Sequence, residues 1–252
     1  MPTYRDHAIV LRTHKLAEAD RIITILTRDH GKVRAVAKGV RKTASRFGAR
    51  LEPLNVIDVQ MYTGRSMDTV TQVETIAPYG AMAVSDYSVW TAAQAMVETV
   101  DRLTPEDREP ATQLFLLLHG ALRTLTSKEH DATLTLDAFL IRSMALAGWG
   151  ASFDDCAMCG EGGPHRWFSI AHGGALCSSC KQPGSITPSE TAMELLGALL
   201  SGDWETADRS DARQRREGSG IVSAYLQWHL ERELKSLKHV DRNPERGLGN
   251  GS

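Results

Sequence analysis

The sequence predicts an α+β chain: an amino-terminal five-stranded barrel, then a mostly helical domain interrupted by a small cysteine-bearing ribbon. Three observations carry this prediction. Five segments rich in β-branched residues fall between residues 6 and 76, helical periodicity takes over from Tyr79, and all four cysteines lie between residues 156 and 180. With 252 residues, 42% of them apolar and 24% charged, the chain has the composition of a folded protein with more than one core. No run of about 18 apolar residues occurs, which excludes a membrane helix. The segment Met1–His7 mixes charges and lacks the basic-then-apolar layout of a secretory signal, so a cytoplasmic location is expected.

The five predicted strands are residues 8–13, 21–27, 32–38, 55–62 and 69–76. Val33, Ala35 and Ala37 alternate with Arg34, Val36 and Lys38, the period of a strand with one buried face. Asp29-His-Gly31 is a turn signal that makes the second and third strands a hairpin. Five strands in about 70 residues, with a long connection between the third and fourth, fit a small closed barrel, either of oligonucleotide-binding type or SH3-like. The barrel domain is expected to occupy residues 1–78.

Residues 79–252 form the second predicted domain. Val89, Ala92, Ala93, Met96, Val97 and Val100 repeat at helical spacing within 88–103. Thr104-Pro-Glu-Asp107 supplies a cap, an early proline and first-turn acids, so a second helix is expected from Pro105 or Glu109 to Thr126. A third is expected over Asp131–Ala147. Thr187-Pro-Ser-Glu190 reads as a capping box ahead of the stripe Ala192, Leu195, Leu196, Leu199 and Leu200. A last helix over Asp211–Lys238 carries Ile221, Tyr225, Leu226, Trp228, Leu230, Leu234 and Leu237 as a wide apolar face.

The cysteines stand as Cys156-Ala-Met-Cys159 and Cys177-Ser-Ser-Cys180, with 17 residues between the pairs. Each two-residue gap lets one tight turn deliver two thiolates to one ion, the arrangement of a four-coordinate structural zinc site. A ribbon over about 152–184, rich in glycine, would return the second pair to the first. The competing uses are ordinary buried cysteines, two disulfides, which are disfavoured in a reducing compartment, and an iron–sulfur cluster, against which the spacing favours zinc. A catalytic zinc keeps one position open for water, so four clustered cysteines point to a single structural Zn2+. His165 and His172 lie nearby and read as loop residues.

The net charge of −2 conceals a polarity along the chain. Residues 1–75 hold 13 basic against 8 acidic side chains, and the remainder holds 16 against 23. Between residues 32 and 50 stand Lys32, Arg34, Lys38, Arg41, Lys42, Arg46 and Arg50 with no acidic residue. Seven uncompensated cations at a barrel rim suit a phosphate backbone, whose neutralisation releases counterions. Phe47, the aromatic within this run, either stacks under a base or anchors the loop; anchoring is the plainer reading.

At these residues the sequence resembles the RecO family of bacterial recombination mediators. The resemblance rests on Asp6-His-Ala-Ile-Val-Leu-Arg12, the run Glu18 to Ile23, Gly31-Lys-Val-Arg34, Ala37-Lys-Gly39 continuing into Arg41 and Lys42, and Arg50-Leu-Glu-Pro53. It extends through Leu146-Ala-Gly-Trp149 to the four cysteines and so covers nearly the whole chain. The resemblance implies a barrel of oligonucleotide-binding type, a helical domain and a zinc ribbon. It also implies a non-enzymatic function, in which the protein binds single- and double-stranded DNA and anneals complementary strands. With the partner RecR, such a protein helps RecA displace single-stranded-DNA-binding protein, and its place is the cytoplasm, at the nucleoid during repair. Carried over by position, the seven cations above are the DNA-contact candidates and Cys156, Cys159, Cys177 and Cys180 the metal ligands. The resemblance further implies a dock for the tail of single-stranded-DNA-binding protein on the helical domain, with Arg213, Arg215, Arg216, Arg232 and Lys235 near Tyr225 and Trp228 as candidates.

Few aromatics mark the barrel, chiefly Tyr4, Phe47, Tyr62 and Tyr79, so backbone charge rather than base stacking is expected to dominate binding. Two alternatives stand beside the mediator: a zinc-ribbon adaptor associated with transcription or RNA, and a zinc-dependent nucleic-acid hydrolase. The hydrolase is the weaker, since neither a Walker-type phosphate loop nor a His-Glu zinc helix is present.

Overall fold

Strands β1 (Thr3–Lys15), β2 (Arg21–Thr27), β3 (Gly31–Ala37), β4 (Val56–Tyr62) and β5 (Asp68–Ala77) form a closed barrel in the order β1-β2-β3-β5-β4. The computed structural model describes residues 2–40, 45, 47–230 and 236–240. Every strand pair is antiparallel except β3–β5, which closes the barrel in parallel through two register pairs, Ala35↔Asp68 and Val36↔Thr69. The inward positions are the β-branched and small residues that alternation predicts, among them Val10, Ile23, Ile25, Val33, Ala35, Ile57 and Val59. The first strand begins five residues earlier than periodicity suggests, because Tyr4 and Asp6 place polar groups on partners rather than in water.

A β-bulge interrupts β1. Val10 faces Ile25 across the ladder and Arg12 faces Thr24, so two steps along β1 match one step along β2. The β2–β3 hairpin turns at Gly31, whose φ of +69° favours glycine. A Cβ there would lie 1.8 Å from the Glu109 carbonyl oxygen, so the hairpin admits no side chain at this point.

Helices α1 (Tyr79–Ala83), α2 (Tyr87–Leu103) and α3 (Thr112–Ser127) follow. Asp86 caps α2 by accepting from the amides of Ser88 and Val89. The helix expected to begin at Pro105 or Glu109 begins instead at Thr112. Thr104 closes α2, its hydroxyl donating to Val100 O at 2.8 Å. The intervening loop docks on the hairpin, where Arg108, at φ +67°, donates its amide to Lys32 O at 2.8 Å. Thr112 Oγ1 then donates to Arg28 O at 2.8 Å, fixing the start of α3. Tertiary contact thus overrides the capping signal. The compact units are residues 1–127 and 128–252, so the first unit holds the barrel and α1–α3 together.

His119 on α3 lies near Tyr79 and Phe115. Burial, then the nearby Arg123 and His7, hold its imidazole below the usual histidine range, so the folded unit keeps it neutral. The unfolded chain protonates near the ordinary value of about 6.5, so its contribution to stability is present above that pH and is lost as pH falls towards the depressed folded value. Chemical denaturation at pH 7.5 and 5.5 is expected to show a smaller loss of stability on acidification for His119→Gln than for the wild type; equal losses would refute this.

The second unit contains α4 (Ala132–Leu146), β6 (Trp167–Ser169), β7 (Gly174–Leu176), α5 (Glu190–Ser201), α6 (Trp204–Asp208) and α7 (Ala212–Leu230). Helix α4 lies within the expected range, and Asp131 caps it by accepting from the amides of Thr133 and Leu134. The cap of α5 is Ser189 rather than Thr187, because Glu217 accepts from the Ser189 amide at 2.8 Å and hydroxyl at 2.6 Å and holds it in place. On α7, Ile221, Tyr225 and Leu226 are buried, but Trp228 is 59% exposed and so lies off the apolar face assigned to it. Leu234 lies outside the described residues; Leu230 ends α7, and Ser236–His239 forms a short 3-10 turn.

Candidate functional site

The ribbon is built from two tight turns facing across a hairpin. Strands β6 and β7 pair from Trp167↔Leu176 to Ser169↔Gly174, and isolated bridges add Ser152 beside Gly174 and Ile186 beside Phe168. Gly174 is required here: at φ +153°, its Cβ would sit 2.4 Å from the Ser152 carbonyl oxygen. In the first turn Cys156 N donates to Glu161 O at 2.8 Å and Gly160 N to Cys156 O at 2.8 Å; in the second, Cys180 N donates to Cys177 O at 3.2 Å. Leu176 and Trp167 pack beside the sulfurs, and the Lys181 ammonium lies 5.0 Å from the Trp167 ring centre.

All four Sγ atoms of Cys156, Cys159, Cys177 and Cys180 lie within 4.8 Å of one another. A tetrahedral ion with bonds of about 2.3 Å to sulfur has edges of about 3.8 Å, and Cys159 Sγ to Cys177 Sγ measures 3.8 Å. The electrostatics fit the same occupant. Backbone N–H groups, that of Cys177 foremost, push the Cys156 thiol down to about 6. Crowding by the other sulfurs, Cys159 first, pushes Cys180 up to about 12. The four groups do not all ionise side by side unless a cation compensates them, so the donor set suits a soft divalent ion. Neither histidine joins the cluster: His165 Nε2 meets Glu161 O at 2.7 Å and His172 Nδ1 meets Ser169 Oγ at 2.9 Å.

On the barrel, the candidate cations separate. Lys32 is not at the surface: its side chain is 8% exposed and its ammonium lies 3.4 Å from Asp101 Oδ1 and 3.2 Å from the Asp101 carbonyl oxygen. It lies on the outer face of β3 against the end of α2, so the run of like charge in the sequence is broken by burial. Arg34 and Lys38 are exposed and have no ion-pair partner among the described residues. Arg50 is exposed within the 3-10 turn Gly48–Leu51, its guanidinium 3.4 Å from Phe47 O. Arg41, Lys42 and Arg46 lie outside the described residues. Phe47 is 1% exposed and packs in the barrel core with Val40 and Leu51, so it anchors the basic segment.

Strand register adds cations that the linear sequence conceals. Arg12, Thr24 and Arg34 stand opposite one another on β1, β2 and β3, which places both guanidinium groups on one outer row. Arg12 is half-exposed and 3.2 Å from Asp101. His14 and Lys15 are exposed at the end of the same strand. The missed signal was the alternation of Arg12 and His14, which becomes meaningful once pairing to the third strand is known.

Among the described residues, the basic side chains proposed for the helical domain do not form one site. Arg213 and Arg216 lie near the start of α7, about 20 Å along the helix from Trp228. Arg215 is tied to Asp131 at 3.3 Å, and Tyr225 is 3% exposed. Arg232 and Lys235 lie outside the described residues. Among the described residues, no helix is long and apolar enough to cross a membrane.

Five strands closed in this order, followed by helices and a four-thiol ribbon, define a protein with a barrel of oligonucleotide-binding type and a helical carboxy-terminal region. Residues 1–79 match the family model for the recombination protein O N terminus, and residues 84–238 match that for its C terminus. The chain belongs to the recombination protein O family. It is 58% identical over 248 residues to a DNA repair protein RecO of Streptomyces coelicolor, covering 96% of this chain and 100% of that relative. It is 55% identical to one of Frankia casuarinae and 54% identical to one of Thermobifida fusca, each over 242 residues, 96% of this chain and 100% of the relative.

Proposed function

We propose that this chain is a DNA-binding recombination mediator of DNA repair, acting without catalysis of its own. It anneals complementary strands and, with RecR, helps RecA displace single-stranded-DNA-binding protein. The observation that carries the reading is the outer row of Arg12 and Arg34 beside exposed Lys38, on a barrel of oligonucleotide-binding type in a chain of this family. Cations on a rigid sheet neutralise successive phosphates without touching base edges, which leaves the bases free to pair with a second strand. The contact candidates are therefore Arg34, Lys38, Arg41, Lys42, Arg46 and Arg50, joined by Arg12, His14 and Lys15. Lys32 supports the barrel instead. Cys156, Cys159, Cys177 and Cys180 would hold one structural Zn2+, which fixes the ribbon and leaves no coordination position for substrate.

Annealing of two labelled complementary oligonucleotides, bare and coated with single-stranded-DNA-binding protein, tests the reading. A chain with Lys38, Arg41, Lys42 and Arg46 changed to alanine is expected to anneal at least about tenfold more slowly than the wild type, with a shallower salt dependence. Absence of annealing by folded, metal-loaded wild type would refute the mediator reading.

A further inference from the structure

One acidic side chain lies at the foot of the basic segment and is not there to neutralise it. Asp20, at the end of the β1–β2 connection, accepts from the Gly39 amide at 2.7 Å through Oδ1. Its own carbonyl oxygen accepts from Leu16 N at 3.1 Å, which closes the connection on itself. Among the described residues, no cation pairs with the Asp20 carboxylate, although Arg21 follows it and Lys38 precedes Gly39. Arg21 instead reaches Glu52 at 2.9 Å, beyond the far end of the basic segment. Gly39 has a φ of +68°, a left-handed conformation in which the chain changes direction directly after Lys38.

The far foot is held separately. Asn55, 5% exposed, donates from Nδ2 to Ala49 O at 3.0 Å and to Arg50 O at 3.3 Å. Phe47 fills the barrel core between these two points. Gly39, Phe47, Ala49 and Arg50 are thus each held in place, and at Gly39 the acceptor is a carboxylate.

We propose that Asp20 is a positioning residue for the cationic face: by holding the Gly39 amide it fixes the backbone turn that follows Lys38 and so the placement of the Lys38 ammonium. This inference rests on the nucleic-acid reading above. A carboxylate accepting from a backbone N–H makes a stronger bond than a neutral acceptor does. It also places a negative charge where phosphates are to bind, which by Coulomb repulsion weakens their binding. The two effects have opposite signs in a substitution. If Asp20 acts only as a charge, Asp20→Ala and Asp20→Asn both tighten DNA binding, and to a similar extent. If it positions Lys38, Asp20→Asn, which keeps the acceptor, retains or tightens binding, whereas Asp20→Ala weakens it despite the lost negative charge.

The test is fluorescence anisotropy of a labelled oligothymidylate titrated with the full chain at several potassium chloride concentrations. The expected result is binding by Asp20→Asn at least equal to wild type and by Asp20→Ala about fivefold weaker. The slope of log affinity against log salt is expected to be shallower by about one phosphate contact in Asp20→Ala. Asp20→Ala binding as tightly as Asp20→Asn overturns the positioning role while leaving the nucleic-acid reading intact. Absence of binding by the wild type overturns that reading, and this inference with it. Amide hydrogen exchange in the unmodified chain gives a second readout independent of any variant's folding. Protection of the Gly39 amide is expected, and exchange at the rate of an exposed loop amide overturns the proposal.

Discussion

Serine in place of Cys156 is expected to abolish retention of zinc, from about one ion per chain to none, and to open residues 150–185 to protease. Around the sulfurs the ribbon is held by two three-residue strands, two isolated bridges and a small apolar cluster of which the cysteines are themselves members, while Phe168 anchors its hairpin on Phe153 and Tyr225. In zinc modules of this kind the metal contributes on the order of 10 kcal/mol or more to folding, which such short strands do not replace. Cys156 is the informative position because backbone amides there stabilise the thiolate, and its removal takes away both a ligand and the group best prepared to ionise. Limited proteolysis with metal quantification checks this result. An unchanged cleavage pattern in a variant verified to be metal-free would show that hydrophobic packing alone supports the ribbon.

The second large effect is expected in the barrel. Asp68 is 1% exposed and accepts both bonds from Arg108 Nη2, at 2.6 and 2.7 Å. It also accepts from the Gly64 amide at 3.0 Å and from the Tyr4 hydroxyl. Burial, then the bond to Asp68, raise the Tyr4 hydroxyl well above its ordinary value, so tyrosine remains a donor at any working pH. Asp68 thus ties β1, the β4–β5 turn and the α2–α3 loop to the strand pair that closes the barrel. Asp68→Ala leaves a phenol, an amide and a guanidinium without their shared acceptor. A loss of about 3 kcal/mol is expected, at the lower end for a broken buried pair because Arg108 is 43% exposed. Arg108→Ala should cost less, since Tyr4 and Gly64 still serve the carboxylate. Urea denaturation of both variants measures the difference, and equal losses would refute the assignment of Asp68 as the hub.

The strands were legible because β-branched residues with period two leave little alternative, and the ribbon because two closely spaced cysteine pairs must converge to share one ion. The closed order and its parallel seam were not, since pairing partners leave no mark on a single strand. For the same reason the cationic row was only half visible: Arg34 was found in a run of like charges, while Arg12 joined it through register. Lys32 misled because charge in a sequence says nothing of burial, and a lysine beneath a helix end finds its partner, Asp101, 69 residues away. The helix start at Thr112 misled in a related way. A proline and acids after a threonine favour a helix locally, but docking on the hairpin stabilises a loop there instead.

The bulge in β1 has a further consequence. Up to Val10 the even-numbered residues of this strand face the interior, and from Arg12 onward they face outward. Leu11 is the residue that reverses the parity. Were Leu11 paired opposite Thr24 with no bulge, Arg12 would fall opposite Ile23 and turn inward, and the outer row would lose its member on β1. The character of this surface is therefore set by register as much as by chemistry: whether one residue is paired or left out of the ladder decides whether a cation meets solvent or the core.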